Sequence, residues 1–261
     1  MDGLCGFSDA ESGKTEVEPE IHLLLDLYGG VGHVSIYIKG HGWKSEVFDL
    51  ALDSLHDITD SKVLKTILRR IRNREFSAVM LATPCTSFSV ARDRTTQIRS
   101  KAEPWGLADR SKLPERDHQS LRYGNKILKA TIKILYLLLE LRIPAIKENP
   151  RSSRMWHIPQ IKRLPDCAHT TFVTCDLYRF GTKWRKRTGL LCMNLNQVQC
   201  HNTLGKMFQG SSRKCSCSGH PHLLLSGSSP SGVPWTRIAQ AYPKMFASAL
   251  AQVLATGHCS E

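Results

Sequence analysis

The sequence has no long apolar run, no signal-like start and no internal repeat, and these absences narrow the class of protein. None of its apolar runs reaches the ~18 residues that a transmembrane helix needs. The start of the chain is acidic and polar, unlike a secretory signal, and it predicts a flexible tail over residues 1–20. We therefore expect an intracellular protein without a membrane partner.

The nine cysteines do not follow the regular spacing of a disulfide framework. Their number is odd, and a chain of 261 residues can bury a core without covalent staples. We interpret them as thiols of a reducing compartment.

Acidic residues are scarce relative to basic ones. The chain has 36 Lys and Arg against 23 Asp and Glu, a formal charge of +13. This excess favours a polyanionic partner, and nucleic acid before a membrane, because no basic amphipathic anchor helix stands out. Basic stretches at 62–74 and 183–187 offer phosphate contacts. The alternative is a solvated basic surface without a specific partner.

Buried-strand and amphipathic-helix patterns alternate along the first 150 residues. Apolar runs at 21–28, 45–52, 76–82 and 143–150 predict strands. Segments 31–42, 61–75 and 121–141 predict helices, a long polar loop is expected over 91–120, and a terminal helix over 235–255. The alternation predicts an α/β fold with a mostly parallel sheet.

A glycine-rich turn, "DLYGGVGH", follows the first predicted strand. It contains Asp26, Gly29, Gly30 and Gly32 at a strand-to-helix junction, where doubly wound folds let a ligand approach the backbone. Asp49 ends the next strand, where a carboxylate can hold ribose hydroxyls. Taken alone, the turn fits equally well a tight bend whose backbone angles need glycine.

The stretch "FSAVMLATPCTSFSV" places Cys85 at the carboxyl end of a buried strand. Most cysteines are small core residues, but Pro84 and the hydroxyl residues after Cys85 indicate a loop. Arg92 and Arg94 follow, and an electropositive loop is expected to lower the pKa of the thiol and raise its nucleophilicity.

Two further motifs carry charged side chains. Glu148 ends a strand in "IKENP", where the alternative is a solvated cap, although a carboxylate at the rim that holds a nucleophilic cysteine is more suggestive. Arg185 and Arg187 lie in "FGTKWRKR" and would point the same way if extended. The alternative there is a solvated hairpin tip.

Together and in this order, the four motifs resemble those of the cytosine-C5 DNA methyltransferase family. "DLYGGVG" is similar to the family's cofactor motif, "TPCTSFS" to its Pro-Cys nucleophile loop, "KENP" to its Glu-Asn motif and "KWRKR" to its Gln-x-Arg-x-Arg motif. The resemblance runs over about residues 22 to 190. Four positions depart from the family's usual residues: His33, Thr83, Pro150 and Lys183.

The resemblance implies a Rossmann-like fold, S-adenosylmethionine as cofactor and methyl transfer to C5 of cytosine in DNA, with RNA as an alternative substrate. It implies that Cys85 attacks C6 of cytosine, Glu148 engages N3 and the exocyclic amine, and the two arginines hold the O2 side and the nucleophile loop. The base must then be flipped out or single-stranded. On the cofactor side it implies Tyr28, Gly30 and Gly32 at the methionine part, Asp49 at the ribose and Asp57 at the adenine, with Asp26, Gly29 and Pro84 completing the site.

The C-terminal part leaves little room for a target-recognition domain. We expect a catalytic domain over 21–195 and a small extension over 196–261 that ends in a helix. A catalytically silent relic that binds nucleic acid is the rival interpretation. The extension also contains zinc-type ligands in a spacing that matches no standard knuckle, so no metal site is predicted. These residues are Cys200, His201, Cys215, Cys217, His220 and His222.

Overall fold

A computed structural model of the chain describes residues 21–207 and 221–257, and the predicted tail over 1–20 lies outside these ranges. Six strands in these ranges form one sheet in the order β2-β1-β3-β4-β6-β5. Neighbours among β1 to β4 pair in parallel, and β6 runs antiparallel to both β4 and β5. The predicted α/β fold with a mostly parallel sheet is confirmed. The strands are β1 Leu23–Leu27, β2 Lys44–Phe48, β3 Ala78–Leu81, β4 Ala145–Pro150, β5 Thr170–Asp176 and β6 Arg187–Met193.

Helices cover both faces of this sheet, as the alternating sequence pattern requires. Short 3₁₀ turns connect several of the elements, including one over Thr86–Phe88 and one over Val90–Arg94. The helices are α1 His33–Ile38, α2 Ser61–Arg72, α3 Glu115–Glu140, α4 Pro159–Lys162, α5 Gln197–Leu204, α6 Trp235–Ile238 and α7 Lys244–Thr256.

Two apolar clusters, one on each face of the sheet, hold the layers together. Successive strand residues point to opposite faces, so Leu25 of β1 packs with residues of α2 and α3, while Leu24 packs with residues of α1 and α7. Helices α5 and α7 follow the predicted boundary at 195, yet their apolar residues belong to the same cluster as Leu24. The division of the chain at that boundary stays a prediction.

Two helices differ in extent from the sequence pattern. Helix α3 begins at Glu115, six residues before the predicted start, because Glu115 and Asp117 in its first turn favour a helix N-terminus. The predicted terminal helix is two helices, since Pro243 lacks the N–H that a continuous helix would need and instead precedes α7.

The order in which strands are added to the sheet reverses between β1 and β3, although the two strands are parallel. From β1 the chain moves outward to β2 and then returns to the other side of β1 to form β3. In open α/β sheets, ligands bind in the crevice at the carboxyl ends of the strands at such a switch point. The glycine turn, which follows β1, and the Pro-Cys loop, which follows β3, both lie at this edge.

No helix in the described ranges is long and apolar enough to cross a membrane. Within the same ranges, no group of three or more His, Cys, Asp or Glu side chains is arranged to hold a metal ion. Cys200 is buried in the core and the ring of His201 hydrogen-bonds Thr171. The other candidate ligands divide between the described His222 and three that lie outside: Cys215, Cys217 and His220.

Candidate active site

A cavity of about 500 Å³ opens at the carboxyl ends of β1, β2 and β3. Its walls are mostly apolar, with a few polar groups, and its size is typical of sites for small organic ligands. Four predicted site residues line it: Tyr28, Asp49, Asp57 and Pro84.

The glycine turn is fixed from both sides. Asp49 accepts a hydrogen bond from the backbone N–H of Gly30 at 2.9 Å through Oδ2. A Cβ at Gly29 would lie 2.6 Å from the carboxyl carbon of Asp26, and Gly32 has a φ of +67°. The glycines therefore give the turn its shape, next to the cavity rather than among its lining side chains.

Asp26 is buried beneath the turn. Its Oδ2 accepts a hydrogen bond from the hydroxyl of Ser35 at 2.9 Å, and its Oδ1 has no hydrogen-bond partner among the described residues. Burial raises the pKa of Asp26 to about 6. Asp26 therefore supports Gly29 and α1, and its expected place at the cofactor stays a prediction.

Asp57 and Tyr28, expected at the adenine and at the methionine part of the cofactor, both line the cavity. Asp57 accepts a hydrogen bond from the N–H of Thr59 through Oδ1, which fixes its carboxylate at the cavity. The hydroxyl of Tyr28 hydrogen-bonds Thr131 of α3 at 3.2 Å, and burial raises the pKa of Tyr28 well above its ordinary value. Tyr28 therefore stays protonated, and the part of the cavity wall that it forms carries no charge.

The Pro-Cys loop turns back on itself directly after β3. The backbone N–H of Phe88 donates to the carbonyl oxygen of Cys85 at 2.8 Å, and the side chain of Asn149 donates to the carbonyl oxygen of Thr83 at 2.7 Å. The second contact ties the loop to the end of β4. The cysteine and the Glu-Asn motif, which are far apart in sequence, are thus brought to one edge of the sheet.

The expected lowering of the thiol pKa is wrong for the free protein. Burial raises the pKa of Cys85, the negative charge of Glu148 raises it further, and Lys186 and Lys147 oppose these effects. Arg92, which was expected to supply positive charge, instead forms an ion pair with buried Asp117 of α3. Cys85 is consequently a thiol at neutral pH until something changes its surroundings.

Glu148 is only 6% exposed and points to the face of the sheet that α1 and α7 cover. Its Oε2 accepts a hydrogen bond from the hydroxyl of Tyr242 at 3.1 Å. Its Oε1 has no hydrogen-bond partner in the described part of the chain. A buried carboxylate oxygen without a donor is costly, so this atom is available to a polar ligand.

Lys147, the preceding residue in β4, is fully buried on the other face. Its ammonium lies 4.2 Å from the ring centroid of Trp156, and burial lowers its pKa to about 7. Sequence reasoning missed this group, since a lysine in a strand is ordinarily exposed.

The three cations of "WRKR" have different surroundings. Arg185 donates to buried Asp176 at 2.7 Å, whereas Arg187 is exposed at the first residue of β6. Lys186, between them, donates to the carbonyl oxygen of Ala239 at 3.2 Å, and its charge is one of those that act on Cys85. The cation of this motif that acts on the thiol is therefore one that sequence reasoning did not single out.

The loop after Cys85 is held by a buried arginine. The guanidinium of Arg99 donates to the carbonyl oxygens of Ser87 and Pro104 and to the side chain of Asn125, and it lies 3.8 Å from the ring centroid of Phe88. This network fastens the loop to α3. It carries no sequence signal, because all of its acceptors lie in segments that look like ordinary loop or helix surface.

Helix α3 also contributes to the cavity, which sequence reasoning missed. At Gly124 the helix passes so close to the Pro-Cys loop that a Cβ would lie 2.1 Å from the hydroxyl oxygen of Ser87. A glycine inside an otherwise strong helix was the signal that could have indicated this close approach. Four α3 residues join the lining: Ser120, Tyr123, Gly124 and Ile127.

The protein is similar to known proteins in its structure. No family model matches the sequence, and no curated protein matches it. A Dnmt2 methyltransferase from S. pombe is 11% identical, with a TM-score of 0.39, over 68% of this chain and 51% of its own. A mutant DNMT2 from Spodoptera frugiperda is 14% identical, with a TM-score of 0.35, over 66% and 50%. The methyltransferase EhMeth of Entamoeba histolytica is 10% identical, with a TM-score of 0.39, over 81% and 64%. The chain spans about half the length of the two Dnmt2 proteins.

Proposed function

We propose that the protein is an S-adenosylmethionine-dependent methyltransferase that acts on C5 of cytosine in nucleic acid, with DNA as the leading substrate. The observation that carries the proposal is a shared edge. Cys85 follows β3, and Glu148 lies near the carboxyl end of the adjacent strand β4. The cavity at the switch point of the sheet is lined by Pro84 and Thr86, the residues on either side of Cys85. This arrangement supports a nucleophile and a carboxylate at the same edge of the sheet as a cofactor-sized space.

The lining of the cavity fits the cofactor. Asp49 keeps lone pairs for ribose hydroxyls although it already accepts hydrogen bonds from the N–H groups of Gly30 and Ala51. Asp57 offers an acceptor for an exocyclic amine beside the apolar side chains of Leu50 and Ile58. Bound here, S-adenosylmethionine would supply an electrophilic methyl group.

The two residues at the rim account for the activation of cytosine. C5 is a poor nucleophile, so the Cys85 thiol would first give its proton to Glu148 while its sulfur bonds to C6, which moves electron density towards N3 and C5. Glu148, with one oxygen free, would engage N3 and the exocyclic amine, and passing this proton on to N3 would neutralise the charge that develops there. After C5 gains its methyl group, loss of the C5 proton and of the sulfur from C6 regenerates the ring and the thiolate.

The raised pKa of Cys85 fits a cysteine that is activated only when the site is filled. In the free protein, burial and Glu148 disfavour the thiolate. Once Glu148 hydrogen-bonds a base, its charge bears less on the sulfur, while Lys186 and Lys147 keep their stabilising effect. The nucleophile is then protected from chance alkylation and oxidation between turnovers.

The basic residues at the edge of the site fit a nucleic-acid backbone better than those of α2. Arg151 and Arg187 are exposed and adjacent, since the N–H of Arg151 donates to the carbonyl oxygen of Arg187 at 2.9 Å. Both lie where β4 ends, as does Glu148. Helix α2 instead ends with Arg69 and Arg72 at the opposite edge, ~18 Å along its axis from its start at the cavity.

The proposal is tested by cofactor binding followed by covalent trapping. We expect calorimetry to detect binding of S-adenosylmethionine, and nucleic acid containing 5-fluorocytosine to form an adduct when the cofactor is present. Fluorine at C5 cannot leave as a cation, so elimination fails and the sulfur stays bonded to C6. DNA and RNA oligonucleotides of the same sequence distinguish the two substrates.

Matched variants identify the nucleophile. Cys85→Ser should abolish the adduct, because an alkoxide is far harder to form than a thiolate, whereas Cys167→Ser, at the other edge of the sheet, should leave it unchanged. An adduct that persists in Cys85→Ser contradicts the mechanism. Cofactor binding without any adduct on DNA or RNA would support the silent-relic interpretation instead.

A further inference from the structure

The segment between α6 and α7 forms one wall of the site around Glu148. The hydroxyl of Tyr242 donates to Oε2 of Glu148 at 3.1 Å, across 94 residues of sequence. Glu148 is almost fully buried, so this hydrogen bond is shielded from competing water.

Tyr242 is itself held by contacts on several sides. The Nδ1 of His33, the first residue of α1, donates to the carbonyl oxygen of Tyr242 at 2.6 Å. The ring packs edge-to-face on Phe246 of α7, with centroids 5.3 Å apart. At the start of the same segment, Lys186 donates to the carbonyl oxygen of Ala239. The tyrosine is therefore held by α1 and by α7, and the start of its segment is held by Lys186.

The hydroxyl of Tyr242 can act only as a protonated donor. Burial, and then the negative charge of Glu148, raise the pKa of Tyr242 well above its ordinary value. The phenol consequently keeps its proton, and the lone pairs of Oε2 are the acceptor it faces.

We propose that Tyr242 is a positioning residue for Glu148: its hydrogen bond to Oε2 fixes the carboxylate so that Oε1 stays free for the target base. This rests on the proposed function, because the role of Oε1 is that of a group that binds cytosine. A glutamate carboxylate that is held at one oxygen cannot rotate about the Cγ–Cδ bond without breaking that hydrogen bond. Without the tyrosine, both oxygens of Glu148 would be unpaired and the side chain would sample other rotamers.

The first test measures the contact itself and needs no activity. Protein labelled with ¹³C at the Cζ of its six tyrosines gives one resonance for Tyr242, assigned by its disappearance in Tyr242→Phe. We expect Glu148→Gln to shift this resonance and to leave that of Tyr28 unchanged. A Tyr242 resonance that does not respond to Glu148→Gln overturns the inference, whatever the protein is found to catalyse.

The second test measures the consequence for methyl transfer. Tyr242→Phe keeps the ring and removes only the hydroxyl, so we expect the affinity for S-adenosylmethionine and the KM for nucleic acid to stay unchanged. The kcat should fall roughly tenfold to a hundredfold, the scale of the decrease in rate when a reacting group is misplaced. A tyrosine that only supports the fold would lower thermal stability or cofactor affinity instead.

A double-mutant cycle shows whether Tyr242 acts through Glu148. In a Glu148→Ala background, where trapping on 5-fluorocytosine is slow, Tyr242→Phe should have no further effect on the trapping rate. Equal effects in both backgrounds would assign Tyr242 a role independent of Glu148 and contradict the proposal. If the parent protein traps nothing while the ¹³C shift responds as expected, the positioning contact holds and the proposed function is what fails.

Discussion

At the scale of single residues, burial decides how the groups of this site ionise. Cys85, Asp26 and Lys147 all have pKa values moved towards the neutral form, and loss of solvation is the largest cause in each case. Basic residues that are close in sequence therefore do not determine the protonation state of a buried group. Its burial and the charges that lie near it in the fold determine that state.

The reactivity of Cys85 should show this directly. Alkylation by iodoacetamide needs the thiolate, so its rate should rise with pH through a midpoint above the ordinary thiol value. Glu148→Gln removes the negative charge and should move this midpoint to lower pH. Peptide mass spectrometry across a pH series measures it, with Cys167 as the internal reference that should not respond. An unchanged Cys85 profile in Glu148→Gln would contradict the electrostatic coupling.

The stability of the protein should depend on the ionisation of Asp26. Its pKa is about 6 in the fold against 3.8 ordinarily, so the folded state binds the proton more tightly than the unfolded state. The carboxyl therefore begins to cost stability as the pH rises above about 4 and costs most above about 6.

Asp26→Asn should consequently be more stable than the parent at about pH 8, by up to about 3 kcal/mol, and equal to it near about pH 4. Urea unfolding at the two pH values measures the difference. Asp166→Asn, at an exposed carboxyl, should show no such dependence. A parent protein that gains stability over Asp26→Asn as the pH rises would contradict the raised pKa.

At the scale of elements, close approach between α3 and the Pro-Cys loop gives the cavity its shape. Arg99 fastens the loop to Asn125, and Gly124 lets the helix touch Ser87. The cavity is therefore sensitive to changes on α3 that touch neither the turn after β1 nor Cys85.

Gly124→Ala tests this approach. In an ordinary helix the change would stabilise by ~1 kcal/mol, but here the new Cβ would lie 2.1 Å from the hydroxyl oxygen of Ser87. We expect a net destabilisation of about 1–3 kcal/mol and weaker cofactor binding, since the loop must move. Thermal unfolding and calorimetry measure both effects.

Two further variants control for this result. Gly40→Ala, where a Cβ meets open space, should change neither quantity appreciably. Ser87→Ala combined with Gly124→Ala should recover part of the stability by removing the hydroxyl. Stabilisation by Gly124→Ala alone would show that the loop and helix are not in tight contact.

At the scale of the whole molecule, the excess of positive charge is distributed over both edges of the sheet. Arg151 and Arg187 lie beside Glu148, while the cations at the end of α2 lie at the far edge, where Arg70 is already paired with Glu46 and Glu75. Under the proposed function, a nucleic acid whose base reached Cys85 would meet the first group.

The salt dependence of binding should distinguish the two edges. Arg151→Ser with Arg187→Ser should reduce the slope of log affinity against log salt by roughly 0.7 to 0.9 for each phosphate that the variant no longer neutralises. Arg69→Ser with Arg72→Ser removes the same charge and should change the slope less. Filter binding of a single-stranded oligonucleotide over a salt series measures both. Equal changes would show that charge alone, and not its position, governs binding.

Local patterns were sufficient for the layout of the chain. Alternating apolar runs and amphipathic segments predicted β1 to β4, α2 and most of α3. This was possible because the spacing of apolar residues within a segment is enough to indicate a strand or a helix. The same patterns put the glycine turn, Cys85 and Glu148 at strand ends, and parallel pairing then brings strand ends to one edge.

Only the tertiary structure decided what surrounds these groups. The bond from Tyr242 to Glu148, the charge of Lys186 near Cys85 and the approach of Gly124 to Ser87 all join segments that are distant in sequence. The sequence also predicted the wrong direction for the Cys85 pKa, since it shows which charges are near along the chain but not the burial that outweighs them. The choice of Cys85 as the proposed nucleophile thus comes from the sequence, while its ionisation is a property of the folded core.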